Sequence, residues 1–293
     1  MADIDVAKLR AEYQGPHELV STSDGKTLFV RRWDASKASP VSVLLLHGIT
    51  GHSGPYGPIV ADQLAESGYN VFGLDLRGHG LSDGRRGDYP SKERFADDLK
   101  EAVEHVRSKS DKLVIMGHSL GVLAAVVSVK NQPQSADGVV LVSAARRMRT
   151  GVFPRPRTGA MVKALMGVAF FPGTPLIDYR REGQVGLDDP LFNFRYSARF
   201  YSVLYGAGAL KVMQMFSSGN IESPNLDFGG KLLAPLFVAV GDADELFPAD
   251  AVKEFCDGID SDDKEFHVIA GARHAVWPRG SFTPLVQWLE KRF

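Results

Sequence analysis

Short apolar runs rich in β-branched residues recur along the chain, and two of them, Val41–Leu46 (VSVLLL) and Lys112–Met116 (KLVIM), are hydrophobic almost without interruption. That pattern marks strands covered on both faces, as in a buried parallel sheet. Similar runs span Thr27–Trp33, Asn70–Leu74, Gly138–Ser143, Pro235–Val240 and Glu265–Ile269. Helix-like segments alternate with them at Tyr56–Ser67, Ser91–Lys109, Ser119–Asn131, Ala249–Ile259 and Thr283–Arg292, with Ser91 placed as an N-cap. Strand–helix alternation predicts an α/β fold with a mostly parallel sheet. Ser23-Asp24-Gly25, between His17–Ser21 and Thr27–Trp33, predicts an antiparallel hairpin at one edge.

One stretch breaks this rhythm. From Ala144 to Phe228 no strand-like run is evident, yet Gly159–Phe171 and Ser197–Phe216 have helical character. The expected organisation is a core made of residues 1–143 and 229–293, with a helical cap, 144–228, inserted after the sixth strand. Of the chain's 34 basic and 35 acidic residues, 11 and 6 respectively fall in the cap, so it is locally basic. Arg146, Arg147, Arg149, Arg155 and Arg157 crowd together there. Such a run reads first as a solvated loop, with contact to an anionic or lipid surface as the sharper alternative.

Composition narrows the function classes. A length of 293 residues suits one large domain, and 44% hydrophobic with 24% charged residues is ordinary for a globular chain. The net charge of −1 gives no global reason to expect nucleic acid as a partner. A single cysteine, Cys256, excludes an intrachain disulfide. The acidic start MADIDVAKLR lacks the apolar centre of a signal peptide, and no apolar run reaches the ~20 residues of a spanning helix. A soluble, cytoplasmic protein is expected, at most peripheral to a membrane.

Gly-His-Ser occurs twice, in Thr50–Pro55 (TGHSGP) and in Met116–Gly121 (MGHSLG). Ser119 lies in a G-x-S-x-G between a predicted strand and a predicted helix, the placement a nucleophile elbow requires. Flanking glycines suit a sharp turn where side chains would collide, and the helix N-terminus offers N–H groups to a developing oxyanion. Ser53 has Pro55 where the second glycine would stand and reads as an ordinary turn serine.

Together the stretches LLLHGITGH (Leu44–His52), DLRGHGLSDG (Asp75–Gly84), GHSLG, GDADELFP (Gly241–Pro248) and GARH (Gly271–His274) resemble the α/β-hydrolase fold over residues 17–293. Within it, they resemble the monoacylglycerol-lipase and lysophospholipase-like branch. The resemblance implies an eight-stranded, mostly parallel sheet flanked by helices. In the cap it extends only to placement and to Asp188–Phe192 (DDPLF).

A serine hydroxyl needs a base, and the base needs an acid to orient it. On this fold both follow the nucleophile in chain order, acid first. His274, after the last predicted strand, is the expected base; His267 lies inside that strand, and His118 is too close along the chain to turn back on Ser119. His79 reads as structural. Asp242, Asp244 and Asp250 all follow Pro235–Val240; the family pattern selects Asp244, with Asp250 left as a helix cap and Glu245 as a weaker substitute. The resemblance places the oxyanion-hole N–H donors on Ile49 and Leu120.

These residues imply a serine esterase acting through an acyl-enzyme, and the resemblance implies medium- or long-chain acyl monoesters, such as monoacylglycerols, as its substrates. Thioester, lactone or carbon–carbon bond hydrolysis with the same triad, or a receptor-like binding protein, are the alternatives. Dehalogenases and epoxide hydrolases of this fold carry aspartate at the elbow. Neither a metal nor a cofactor is expected, since no ligand spacing and no dinucleotide fingerprint is present. Met161, Leu165, Met166, Phe170, Phe171, Phe194, Tyr201 and Phe216 are candidates for an acyl pocket.

Overall fold

Alternate residues of one strand feed opposite sides of a central sheet. Leu44 and Leu46 join one apolar cluster, while Val43 and Leu45 join another on the far face. Leu113 and Ile115 likewise part from Val114 and Met116. A strand with both faces buried must be apolar throughout, which is why these runs stand out in the sequence. The computed structural model describes residues 4–37, 39–150, 170–178, 180 and 184–293.

The sheet has eight strands: β1 (His17–Ser21), β2 (Thr27–Trp33), β3 (Val41–Leu46), β4 (Asn70–Asp75), β5 (Lys112–His118), β6 (Gly138–Val142), β9 (Leu236–Gly241) and β10 (Lys264–Ile269). Their spatial order is β1-β2-β4-β3-β5-β6-β9-β10. Only β2 runs against the others: it pairs antiparallel with β1 and β4, and every other pairing is parallel. The β1–β2 hairpin is the expected one, turned by Gly25 at φ 74°.

Helices α2 (Asp62–Glu66) and α8 (Thr283–Arg292) cover one face. On the other lie α3 (Lys92–Arg107), α4 (Leu120–Asn131) and α7 (Ala249–Asp257). Ser91 caps α3, its hydroxyl accepting from the Arg94 N–H. From Leu120 to Val129, α4 is buried on every side, which explains its lack of amphipathic pattern. A short helix, α1 (Val6–Glu12), precedes β1. Among the described residues no helix is long and apolar enough to cross a membrane.

Between β6 and β9 the chain leaves the sheet, and here the sequence reading needs three corrections. The region does contain strands, β7 (Pro175–Asp178) and β8 (Arg195–Ser197), paired antiparallel. At four and three residues, with mixed polarity, they leave no apolar run to detect. Ser197–Phe216 is not one helix but two, α5 (Ala198–Tyr205) and α6 (Ala209–Ser218), separated where Gly206 turns left-handed at φ 65°. Asp250 does not cap α7; Pro248 holds the cap position, and Asp250 instead pairs with Arg147 at 2.9 Å. Most of the expected helix at 159–171 lies outside the described residues.

Candidate active site

In a parallel sheet all strands end on the same side, so the loops after β3, β5, β9 and β10 gather at one edge. The turn after β5 is the sharpest. Ser119 sits there at φ 54°, ψ −119°, a strained position for a residue with a side chain. Its glycine neighbours are sterically required. A Cβ on Gly117 would fall 2.3 Å from the Gly121 carbonyl oxygen, and one on Gly121 would fall 2.0 Å from that of Leu46.

Ser119 Oγ is 2.9 Å from His274 Nε2, and His274 Nδ1 is 3.1 Å from Asp244 Oδ2. An ionised carboxylate can only accept hydrogen bonds. Nδ1 therefore carries the imidazole proton, leaving Nε2 to accept from the serine hydroxyl. Burial opposes the charge on Asp244, but the His274 contact and the N–H groups of Phe247 and Leu246 outweigh it, and the carboxyl is held down at about 2. Asp242 is turned away: it is exposed and accepts from the Gly271 N–H at 2.8 Å. The structure thus brings Ser119, Asp244 and His274 together and leaves Asp242 and Asp250 apart.

His118 does not face Ser119. The His274 carbonyl, 2.8 Å from His118 Nε2, can only accept, so that nitrogen carries the proton. His118 Nδ1 then accepts from the Tyr56 hydroxyl at 2.6 Å, and the Tyr56 oxygen accepts from the Gly48 N–H at 2.9 Å. Burial, with His274 nearby, pushes the His118 imidazole down to about 3, so it is neutral near pH 7. A continuous polar chain therefore runs from the loop after β3 through the elbow to the His274 loop.

Ile49 and Leu120 line the same cavity as Ser119. Among the described residues, neither of their N–H groups donates to a protein acceptor. His47 explains the setting of the first. Its Nε2 accepts from the Leu76 N–H at 3.0 Å, so its Nδ1–H donates to the Gly48 carbonyl at 2.7 Å. A peptide carbonyl and the following N–H point in opposite directions across one plane, so drawing Gly48 O toward His47 turns the Ile49 N–H the other way.

Ser53 is not an ordinary turn serine. It is wholly buried; its hydroxyl and N–H both donate to Asp75 Oδ1, at 2.5 and 2.7 Å, and Arg31 closes the cluster. The sequence reading missed what two further residues do. Glu245 accepts from the His274 N–H at 3.0 Å, and Arg149 Nε donates to the Asp244 carbonyl at 3.1 Å. The first was visible only as a spare acid and the second only as part of a basic run. Arg146 and Arg147 are also engaged within the molecule, with the Leu226 carbonyl and with Asp250, while Arg155 and Arg157 lie outside the described residues. Arg146, Arg147 and Arg149 are exposed, as a solvated basic stretch would be, and each also makes a hydrogen bond within the molecule.

The cavity above Ser119 holds about 440 Å³ and is mostly apolar. Tyr56, Ile59, Val60, Met116, Trp277 and Phe282 wall it from the core, and Met148, Phe192, Tyr205, Phe216 and Leu246 line it as well. Of the expected acyl-pocket residues, Phe216 is there. Phe194 and Tyr201 pack inside, away from the cavity, and Phe170 and Phe171 are exposed. Met161, Leu165 and Met166 lie outside the described residues.

Known proteins resemble this chain in both sequence and fold. It is 26% identical over 237 residues to a monoacylglycerol lipase of Mycolicibacterium smegmatis, covering 80% of this chain and 81% of that one. The human monoglyceride lipase is 31% identical over 133 residues, 45% of this chain and 43% of that protein. YnbC of Escherichia coli is 29% identical over 239 residues; the match covers 74% of this chain but only 40% of YnbC. In fold, the chain resembles the monoglyceride lipase of Saccharomyces cerevisiae, with a TM-score of 0.71 at 19% identity, covering 96% and 97% of the two chains. The Paleococcus ferrophilus monoacylglycerol lipase gives 0.63 at 24% identity, covering 91% and 99%. Residues 38–278 match the model of the serine aminopeptidase family S33, and the chain belongs to this family of α/β hydrolases.

Proposed function

We propose that this protein hydrolyses carboxylic esters of medium- or long-chain acyl groups, monoacylglycerols among them, with Ser119, His274 and Asp244 as its triad. One observation carries the reading: a hydroxyl 2.9 Å from an acid-oriented imidazole faces an apolar cavity of about 440 Å³. In the proposed cycle Ser119 Oγ bonds to the ester carbonyl carbon while its proton passes to His274 Nε2. The oxyanion meets the N–H groups of Ile49 and Leu120, which exist before the charge does and need no reorganisation. Collapse breaks the ester C–O bond, and the alcohol leaves with the proton from His274. Water then attacks the acyl-enzyme, His274 again taking and returning a proton. Asp244 stays ionised throughout and stabilises the imidazolium.

The apolar lining favours an acyl chain over a peptide. Among the described residues of the cavity wall, Glu245 is the one carboxylate that could meet a free amino terminus, and it is engaged with the His274 N–H and Arg273. Residues 144–228 act as the cap in this reading, the remainder as the core. Val185 and Val276, exposed and lining the cavity, offer an apolar rim for a lipid substrate. The test is hydrolysis of p-nitrophenyl esters of graded chain length. We expect kcat/KM to rise from acetate toward medium chains, and Asp244→Asn to lose about 10³–10⁴ in kcat while Asp242→Asn stays near wild type. A preference for aminoacyl amides over every ester would overturn the substrate class, and the reverse order of the two aspartates would overturn the triad.

A further inference from the structure

The loop that carries Ile49 is held from two sides, and only one of them is the core. From the core, His47 grips the Gly48 carbonyl and Ser53 is pinned to Asp75. From the cap, the Tyr196 hydroxyl donates to the Ile49 carbonyl, and the Asn193 N–H donates to the Thr50 carbonyl at 2.9 Å. Ile49 is thereby fixed at both flanking peptide units: Gly48 O is drawn by a core histidine and Ile49 O by a cap tyrosine. With both carbonyls held, rotation about the Ile49 φ and ψ is checked, and with it the direction of the Ile49 N–H.

Tyr196 is itself firmly set. Its residue is fully buried, and its ring lies 4.5 Å from that of Phe200 and 5.8 Å from that of His79. The hydroxyl oxygen also lies 2.7 Å from the Asn193 carbonyl and 3.3 Å from His79 Nε2. β8 is moored to the core on its other side. The Ser197 N–H donates to Gly87 O at 2.8 Å, and the Ser197 hydroxyl donates to buried Asp88 at 2.6 Å. Arg86 reaches across to the Leu191 carbonyl at 2.6 Å. The hydroxyl therefore projects from a strand whose position does not depend on it.

We propose that Tyr196 is a positioning residue for the oxyanion hole, so that the cap completes the catalytic machinery as well as covering it. The inference rests on Ser119 as nucleophile and the Ile49 N–H as an oxyanion donor. It predicts that the cap's fit to the core affects the chemical step even for substrates too short to touch the cap.

Tyr196→Phe tests this, since it keeps the ring and the moorings of β8 and removes only the hydroxyl. Assays use p-nitrophenyl acetate, with rates expressed per fluorophosphonate-reactive site so that misfolded protein is not counted. Losing a whole oxyanion donor costs about 10²–10³ in rate, and a donor left in place but less firmly aimed should cost about tenfold in kcat. KM should change less than twofold. An alkyl trifluoromethyl ketone, which adds to the serine as a tetrahedral oxyanion, should bind about tenfold more weakly, while a fatty-acid product of equal length binds as before. A merely structural role would lower Tm and the number of reactive sites but leave both per-site values unchanged, and that result overturns the proposal. Failure of the underlying reading looks different: wild-type protein would then neither label nor turn over ester, or Ser119→Ala would retain activity.

Discussion

Gly51-His52-Ser53 and Gly117-His118-Ser119 present the same three residues in two settings a short distance apart. In neither does the histidine touch its own serine. His118 bridges Tyr56 and the His274 carbonyl; His52 accepts from the Gly54 N–H and donates to Asp189 at 3.0 Å. What separates the serines is the partner each hydroxyl meets. Ser119 donates to His274 Nε2, an imidazole nitrogen left free to accept because Nδ1–H is held by Asp244, and it opens on a cavity. Ser53 donates to Asp75, a carboxylate held below its ordinary range despite complete burial because the Arg31 guanidinium and the Ser53 hydroxyl favour its charge. Such a carboxylate is a poor base, and no solvent or substrate reaches it. In the proposed reading, reactivity follows the partner and access, not the tripeptide.

Substitutions can break this comparison. The largest effect belongs to Ser119→Ala, expected to lose at least about 10⁴ in kcat with Tm little changed, because it removes one member of a coupled set while keeping the Cβ and leaving the backbone turn as it was. Ser53→Ala should do the opposite. It leaves Asp75 and Arg31 buried with one partner fewer, and should cost about 1–3 kcal/mol of stability in urea unfolding. Its per-site kcat should fall less than tenfold. A Ser53→Ala protein with wild-type stability but no turnover would erase the distinction.

Three buried histidines around the site offer a further test through pH. Burial lowers His118 to about 3, His47 to about 4 and His79 well below its usual value, so the fold prefers each of them neutral. The unfolded chain takes up these protons once pH falls below about 6.5, so their contribution to stability is fully present above that pH. It is lost progressively as pH falls from 6.5 toward 4, at up to about 1.4 kcal/mol per pH unit for each histidine. Urea midpoints at pH 7, 6 and 5 should decline accordingly, and a flat profile would contradict the neutral assignments. The smallest effect is expected at the rim: Asp189→Asn weakens a partly exposed contact with His52 and should change stability by less than about 1 kcal/mol.

Much of this was legible in the sequence because one rule applied. Residues buried on both faces of a sheet leave continuous apolar runs, so the core strands could be read directly, and Gly117 and Gly121 marked the elbow through steric need. His274 followed from its place after the last strand. Asp244 needed the family pattern, because Asp242 and Asp250 satisfied the same positional argument; only the fold shows one facing Gly271 and the other Arg147. The cap was least readable. Its strands are too short to leave a run, and Gly206 divides a stretch that looked like one helix. Ser53, Glu245, Arg149 and Tyr196 were misjudged or missed for one reason. Each acts through a hydrogen bond to a residue distant in the chain, such as Tyr196 to Ile49, 147 positions away, and no local pattern records such a pairing.

The most direct test of the central claim is to map the site of covalent labelling. Wild-type protein treated with a fluorophosphonate and digested with a protease should carry the label on the peptide containing Ser119, with the peptide containing Ser53 unmodified and Ser119→Ala unlabelled. Label on Ser53, or labelling that survives Ser119→Ala, would contradict the account.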